Sequence, residues 1–185
     1  MVGAVAFLGA GVFAFVYLLK SEAAWTFLRY RGNRLVTCPE TKAPAAVKVA
    51  SAWAAVTAAV GQRRLRLKTC SRWPDRQDCD QPCLWQVRAA PRDTLVATIL
   101  RRWYEGKRCV ACEKLLEKTD WLQHTSGALS PDSETVEWRD VAPEKIPEKL
   151  ATHVPLCWNC LVVQTFRQKY PELVVERPAR PSKER

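Results

Sequence analysis

Two short stretches, CVAC at residues 109–112 and CWNC at residues 157–160, decide how the second half of this 185-residue chain folds. Each stretch holds two cysteines separated by two residues, so each can place two thiolates on one side of a metal ion. Together they offer the four thiolates of a tetrahedral structural zinc site. The predicted ligands of this Zn²⁺ are Cys109, Cys112, Cys157 and Cys160.

The segments around the two pairs predict the rest of this unit. The first pair lies in a predicted tight turn, predicted strands follow at residues 121–124 and 135–138, and the second pair begins a predicted helix that ends near Tyr170. Over about residues 105–173 this order resembles the treble-clef class of zinc fingers. The resemblance implies a β-hairpin and a helix held by one Cys₄ site. A long Pro-interrupted loop leaves the subclass open.

The remaining four cysteines lie in the first half of the chain and have a less regular spacing. They are separated by 31, 8 and 3 residues. We predict a second Cys₄ zinc site from this set, with buried or paired thiols and an iron–sulfur cluster as alternatives. Pairing of cysteines between the two halves is a further possibility. The predicted ligands of the second Zn²⁺ are Cys38, Cys70, Cys79 and Cys83.

Iron is the main alternative to zinc, because iron–sulfur clusters also use four cysteines. Ferredoxins concentrate three of their ligands in one short loop of the type CxxCxxC, and that pattern is absent. Haem attachment of the c type requires CxxCH, and here Glu113 and Leu161 follow the two pairs. These observations exclude c-type haem and favour zinc over a cluster.

The N-terminus predicts a membrane anchor. Residues 2–19 contain no charge, which is close to the length needed to cross a bilayer, and residues up to 28 can extend the span. Basic residues follow this segment but do not precede it, which favours an uncleaved anchor over a cleaved secretory signal. We expect the N-terminus outside, the C-terminal region in the cytoplasm with reduced cysteines, and lipid contact through residues 2–28.

Charge is distributed unevenly along the chain, whose formal net charge is +10. Residues 20–108 carry a balance of +11 and residues 109–175 a balance of −3. Nucleic acid is a possible partner, because Trp73, Trp85 and Trp103 can stack on bases beside the arginines. The confinement of the positive charge to the half next to the predicted anchor favours anionic lipid or an acidic partner instead.

The predicted fold class is α+β, with a single transmembrane helix followed by two small zinc-stapled units, each a β-hairpin plus a helix. The predicted anchor covers residues 1–28, the first Cys₄ unit residues 29–104, the second residues 105–175, and a disordered tail residues 176–185.

The chain is predicted not to be an enzyme. It has no zinc-protease, P-loop, dinucleotide-binding or serine-hydrolase motif, and every cysteine has a role as a ligand. We expect a membrane-anchored zinc-binding interaction or scaffold protein, an accessory subunit with a protein partner in a membrane complex. The alternatives are an iron or iron–sulfur electron carrier beside a membrane redox complex, and a membrane-tethered zinc protein that binds nucleic acid.

Overall fold

The computed structural model describes residues 21–76, 78–116 and 127–175. They fall into two compact units. The first contains the described residues up to Trp103 together with Ala142–Pro147, and the second contains Tyr104–Val141 and the described residues from Glu148 onward. The strand predicted at residues 121–124 and the tail predicted at residues 176–185 lie outside the described residues.

The first unit is built on a three-stranded antiparallel sheet in the order β1-β2-β3. Strand β1 is Asn33–Thr37, β2 is Pro44–Val49 and β3 is Leu67–Cys70. In β1 and β2 every second side chain is buried, as expected for a sheet with one face on a core. Four helices accompany the sheet: α1 (Glu22–Tyr30), α2 (Ser51–Ala59), α3 (Leu84–Ala89) and α4 (Val96–Tyr104), whose last residue belongs to the second unit.

The buried face of this sheet lies in a contiguous apolar core. The core includes Val36, Val47 and Val49 from the strands, Ala54 from α2 and Val87 from α3. Helix α1 packs against α2 and buries Thr26 and Tyr30. The first unit therefore has an apolar core of its own.

A buried arginine joins β1 to the loop before α4. Arg34 has no exposed surface, and it forms no ion pair with a carboxylate of the described residues. Its guanidinium donates to the carbonyl oxygens of Pro91, Arg29 and Tyr30 and to the hydroxyl of Thr94. Burial lowers the pKa of Arg34, with an opposing contribution from Tyr30. The guanidinium thus connects the end of α1 to the loop before α4 through hydrogen bonds to backbone oxygens.

The second unit has a smaller three-stranded antiparallel sheet in the order β5-β4-β6. Strand β4 is Gly127–Leu129, β5 is Thr135–Glu137 and β6 is Val154–Leu156. Helix α5 (Ile146–Thr152) follows a 3₁₀ turn at Pro143–Lys145; the turn and the start of α5 belong to the first unit. Helix α6 (Trp158–Lys169) follows β6 and ends before a 3₁₀ turn at Pro171–Leu173.

Gly127 permits the close packing of β4 in the second unit. A Cβ atom at this position would lie 2.6 Å from the Leu161 side chain of α6 and 2.6 Å from the backbone oxygen of Val136 on β5. Any other residue would have to displace a backbone atom as well as a side chain. The close packing of β4, β5 and α6 therefore depends on this glycine.

The prediction of a membrane anchor is wrong. Among the described residues, no helix has the length and apolar character needed to cross a membrane. Residues 22–28 belong to α1, a nine-residue helix that is capped by Ser21 and carries Glu22 and Arg29. One side of this helix is buried against the rest of the first unit. These residues therefore do not extend an apolar span, and the single-pass topology with its cytoplasmic C-terminal region is withdrawn. Residues 1–20 of the predicted anchor lie outside the described residues.

The architecture of the units also differs from a hairpin plus one helix. In the first unit β3 returns to pair with β2, and in the second β6 pairs with β4. In the sequence, a helix separates each of these third strands from its hairpin. Turn residues between neighbouring strands therefore did not indicate the pairing.

Candidate metal centre

The second unit brings one cysteine set into a cluster. The ligand atoms of the four cysteines all lie within 4.8 Å of one another. Within the described part of the chain, this is the one group of three or more potential ligand residues that meets this spacing. Cys109 is buried, whereas Cys112 is exposed. The members of this group, called the C-terminal cluster below, are Cys109, Cys112, Cys157 and Cys160.

The first pair is held by a tight turn after α4. The amide of Cys109 donates to the carbonyl of Lys114 at 2.9 Å, and the amide of Glu113 donates back to the carbonyl of Cys109 at 2.9 Å. Glu113 has a φ of +59°, the left-handed conformation that reverses the chain there. The side chain of Arg108 donates to the Glu113 carbonyl at 3.0 Å. Local backbone hydrogen bonds therefore place both thiols of CVAC on the same side of the turn.

The second pair lies at the start of α6. Cys157 is the extended residue before the helix, and its carbonyl accepts the amide of Leu161 at 2.9 Å. The turn of the first pair is bonded to the strand that leads to this helix, because the amide of Val110 donates to the carbonyl of Pro155 at 3.0 Å. The sulfur atoms of Cys112 and Cys157 consequently lie 3.7 Å apart.

The spacing fits a single tetrahedral ion. With Zn–S bonds of about 2.3 Å, neighbouring sulfurs of a tetrahedral site are about 3.8 Å apart. The distance between Cys112 and Cys157 is close to this value, and no pair in the cluster exceeds 4.8 Å. The four sulfurs could therefore hold one metal ion, as in a zinc-finger-like unit.

The thiols of the cluster differ in acidity. Burial raises the pKa of Cys109, but backbone hydrogen bonds outweigh burial and lower the pKa to about 7. The largest of these hydrogen bonds comes from Cys157, and others come from Ala111 and Cys112 of the turn. Burial, followed by the neighbouring thiols, raises the pKa of Cys160. The hydrogen bonds around Cys109 therefore favour its thiolate, which is the form that binds a metal ion.

A buried hydrogen-bonded pair supports the strand next to the cluster. Tyr104 is 1% exposed, donates its hydroxyl to the carbonyl of Gly127 on β4 and accepts the indole N–H of Trp138 at 2.7 Å. Burial raises the pKa of Tyr104. Sequence reasoning missed this pair, because Tyr104 ends α4 and Trp138 follows β5, 34 residues later in the chain.

The first cysteine set is brought to one place but not into a cluster of the same tightness. All four of its cysteines line one cavity of about 20 Å³ in the first unit. Burial, followed by the neighbouring thiols, raises the pKa of Cys83 to about 11. The backbone and hydroxyl of Thr41, with a smaller contribution from the amide of Glu40, lower the pKa of Cys38.

Comparisons with protein-family models, with curated proteins and with solved structures found no match to this chain. The chemistry of the site therefore follows from its own geometry.

Proposed function

We propose that this chain is a zinc-binding interaction protein in which the C-terminal cluster is a structural Cys₄ site. The observation that carries the proposal is the spacing of the four sulfurs, all within 4.8 Å of one another. An iron–sulfur cluster inserts several atoms between its cysteine ligands and needs them further apart than a single ion does. The compact spacing therefore favours one ion over a cluster.

A structural role follows from the ligand set. Four thiolates complete the tetrahedron of Zn²⁺ and leave no position for water, so such an ion does not activate a nucleophile. The ion would instead connect the turn after α4 to the start of α6. We therefore propose a binding role without catalysis for this unit.

The surface of α6 supports an interaction role. Phe166 is 46% exposed, and its ring lies 5.3 Å from that of Tyr170. Val162 and Val163 are also exposed on this helix, at spacings of three and four residues from Phe166 that place them on the same side. Arg167 and Lys169 lie beside this surface and are exposed. We propose that this α6 surface binds a protein segment that is apolar at its centre and acidic at its rim.

The metal part of the proposal is tested on the purified full chain by metal analysis and visible absorption. We expect zinc and a colourless protein, whereas iron–thiolate sites absorb visible light. Cys112→Ser should remove one zinc ion from each chain, and Ala111→Ser in the same turn should keep it. Iron with inorganic sulfide, or a full zinc content in Cys112→Ser, would contradict the proposal.

The interaction part is tested by placing a photo-crosslinking amino acid at Phe166 in cells. The matched control places it at Leu115, an apolar residue of similar exposure that is not part of α6. We expect an adduct of defined mass at Phe166 that is absent at Leu115 and is lost in Cys157→Ser. Equal adducts at both positions would contradict a specific surface on α6.

A further inference from the structure

The four cysteines outside the C-terminal cluster all reach one small cavity. They come from different parts of the first unit: Cys38 follows β1, Cys70 ends β3, Cys79 lies in the following loop, and Cys83 precedes α3. The eight cysteines of the chain thus separate into two sets of four, each collected in one unit. A cavity of about 20 Å³ is large enough for one ion or molecule the size of water.

The turn at Cys38 repeats the hydrogen bonds of the turn at Cys109. The amide of Cys38 donates to the carbonyl of Ala43 at 2.9 Å, and the amide of Lys42 donates back to the carbonyl of Cys38 at 2.8 Å. Lys42 has a φ of +58°, the counterpart of Glu113 at +59°. In both turns the bonds join residues at the same offsets from the cysteine.

The residues that follow the two cysteines also correspond in position. Thr41 lies three residues after Cys38, as Cys112 lies three residues after Cys109. Thr41 stands where the second ligand of the C-terminal turn stands, so the turn at Cys38 supplies one thiolate instead of two.

One cysteine of the cavity accepts a hydrogen bond from a backbone amide. The backbone N–H of Gln81 donates to the sulfur of Cys79 at 3.4 Å, and Gln81 has a φ of +59°. The side chain of Arg72 lines the same cavity. A backbone donor and a cationic side chain in the cavity suit thiolate sulfur, which is the metal-binding form of cysteine.

We infer that the first unit binds a second Zn²⁺ ion in this cavity, the core-edge site, whose ligands are Cys38, Cys70, Cys79 and Cys83. The inference does not rest on the C-terminal cluster, because the two sites share no residue. The sulfurs of the core-edge site are less tightly grouped than those of the C-terminal cluster, so the ion must draw them together. Cys83 belongs to the apolar core, and Cys38 and Cys70 pack against it. The ion therefore joins a unit that already has a core.

The test counts zinc ions on the full chain by native mass spectrometry. We expect two zinc ions in the unsubstituted protein and one in Cys79→Ser. The matched control is Asp78→Ser, the exposed neighbour, which should keep two. Cys112→Ser should keep one ion, and Cys79→Ser combined with Cys112→Ser should keep none.

The number of zinc ions bound to the unsubstituted protein distinguishes one site from two, even where a variant fails to fold. One zinc ion that persists in Cys79→Ser and disappears in Cys112→Ser would overturn the core-edge site and leave the proposed function intact. One ion that disappears in Cys79→Ser and persists in Cys112→Ser would overturn the proposed function instead. Two ions in Cys79→Ser would overturn the assignment of Cys79 as a ligand.

Discussion

The two units hold their sheets together in different ways. The first unit has an apolar core of eleven buried residues and a buried arginine that satisfies four backbone and side-chain oxygens. The second unit has three short strands of three residues each, with a few buried side chains such as Leu156 and Leu161. Small domains with little core depend on metals or other cross-links.

Because the two units differ in the size of their cores, we expect the two cysteine sets to have different structural roles. In the second unit the proposed ion would connect the turn after α4 with α6, so we expect metal binding and folding to be coupled there. In the first unit the proposed ion is added at the edge of an existing core. We therefore expect the second unit to depend on its metal more strongly than the first.

The largest expected effect comes from Cys109→Ser. Structural zinc in small domains contributes roughly 10–16 kcal/mol of apparent binding free energy, and removal of one of four thiolates loses much of it. The second unit should become sensitive to protease and lose its ion, while the first unit stays resistant. Limited proteolysis with mass analysis of the fragments measures this.

The control for Cys109→Ser is Cys38→Ser, the corresponding position of the first unit. It should lower the stability of the first unit without making its sheet sensitive to protease. If both units were digested equally in the two variants, the second unit would not depend on its metal more strongly than the first.

The next largest effect is expected for Arg34→Met. The substitution removes the guanidinium hydrogen bonds to the carbonyls of Pro91, Arg29 and Tyr30, which should lower the free energy of unfolding of the first unit by about 2–4 kcal/mol. The exposed Arg31→Met should change it by no more than about 0.5 kcal/mol. Denaturant unfolding followed by tryptophan fluorescence measures both, and equal midpoints would show that Arg34 does not stabilise the unit.

Gly127→Ala should weaken the second unit. The added Cβ would lie 2.6 Å from both Leu161 and the Val136 carbonyl, and overpacking of this kind costs about 1–3 kcal/mol. The unfolding midpoint of the zinc-loaded chain should fall, because the β4 strand must move away from α6. An unchanged midpoint would mean that β4 does not pack as closely as described.

The smallest expected effect is a change in alkaline stability in Tyr104→Phe. The folded-state pKa of Tyr104 is raised by burial, so the stability that its neutral form contributes is present below pH about 10 and lost as pH rises above that value. Tyr104→Phe should lower the free energy of unfolding by about 1–2 kcal/mol at pH 8. The stability of this variant should then fall less steeply as the pH rises. Unfolding midpoints of both proteins between pH 8 and 11 measure it; parallel curves would exclude Tyr104 as the cause.

The sequence predicted the elements that have a local signal. The regular CxxC spacing indicated the C-terminal cluster. The two cysteines of each CxxC pair are near neighbours in the chain, so their spacing can be read from the sequence.

The remaining features depend on contacts between distant residues. The pairing of β3 with β2 and of β6 with β4, the four oxygen partners of Arg34 and the hydrogen bond between Tyr104 and Trp138 carry no short-range pattern. The wrong prediction of a membrane anchor has a related cause. Hydropathy treated Trp25, Phe27 and Leu28 as part of one span, whereas Thr26 and Tyr30 of the same segment are buried against the first unit.

The central claim, that each ion is bound by four cysteine sulfurs, is tested most directly by X-ray absorption at the zinc edge of the full chain. The predicted spectrum has a single shell of four sulfurs at about 2.3 Å. A shell that contains nitrogen or oxygen ligands in place of two or more sulfurs, or an iron edge with iron–iron scattering in place of zinc, would contradict it.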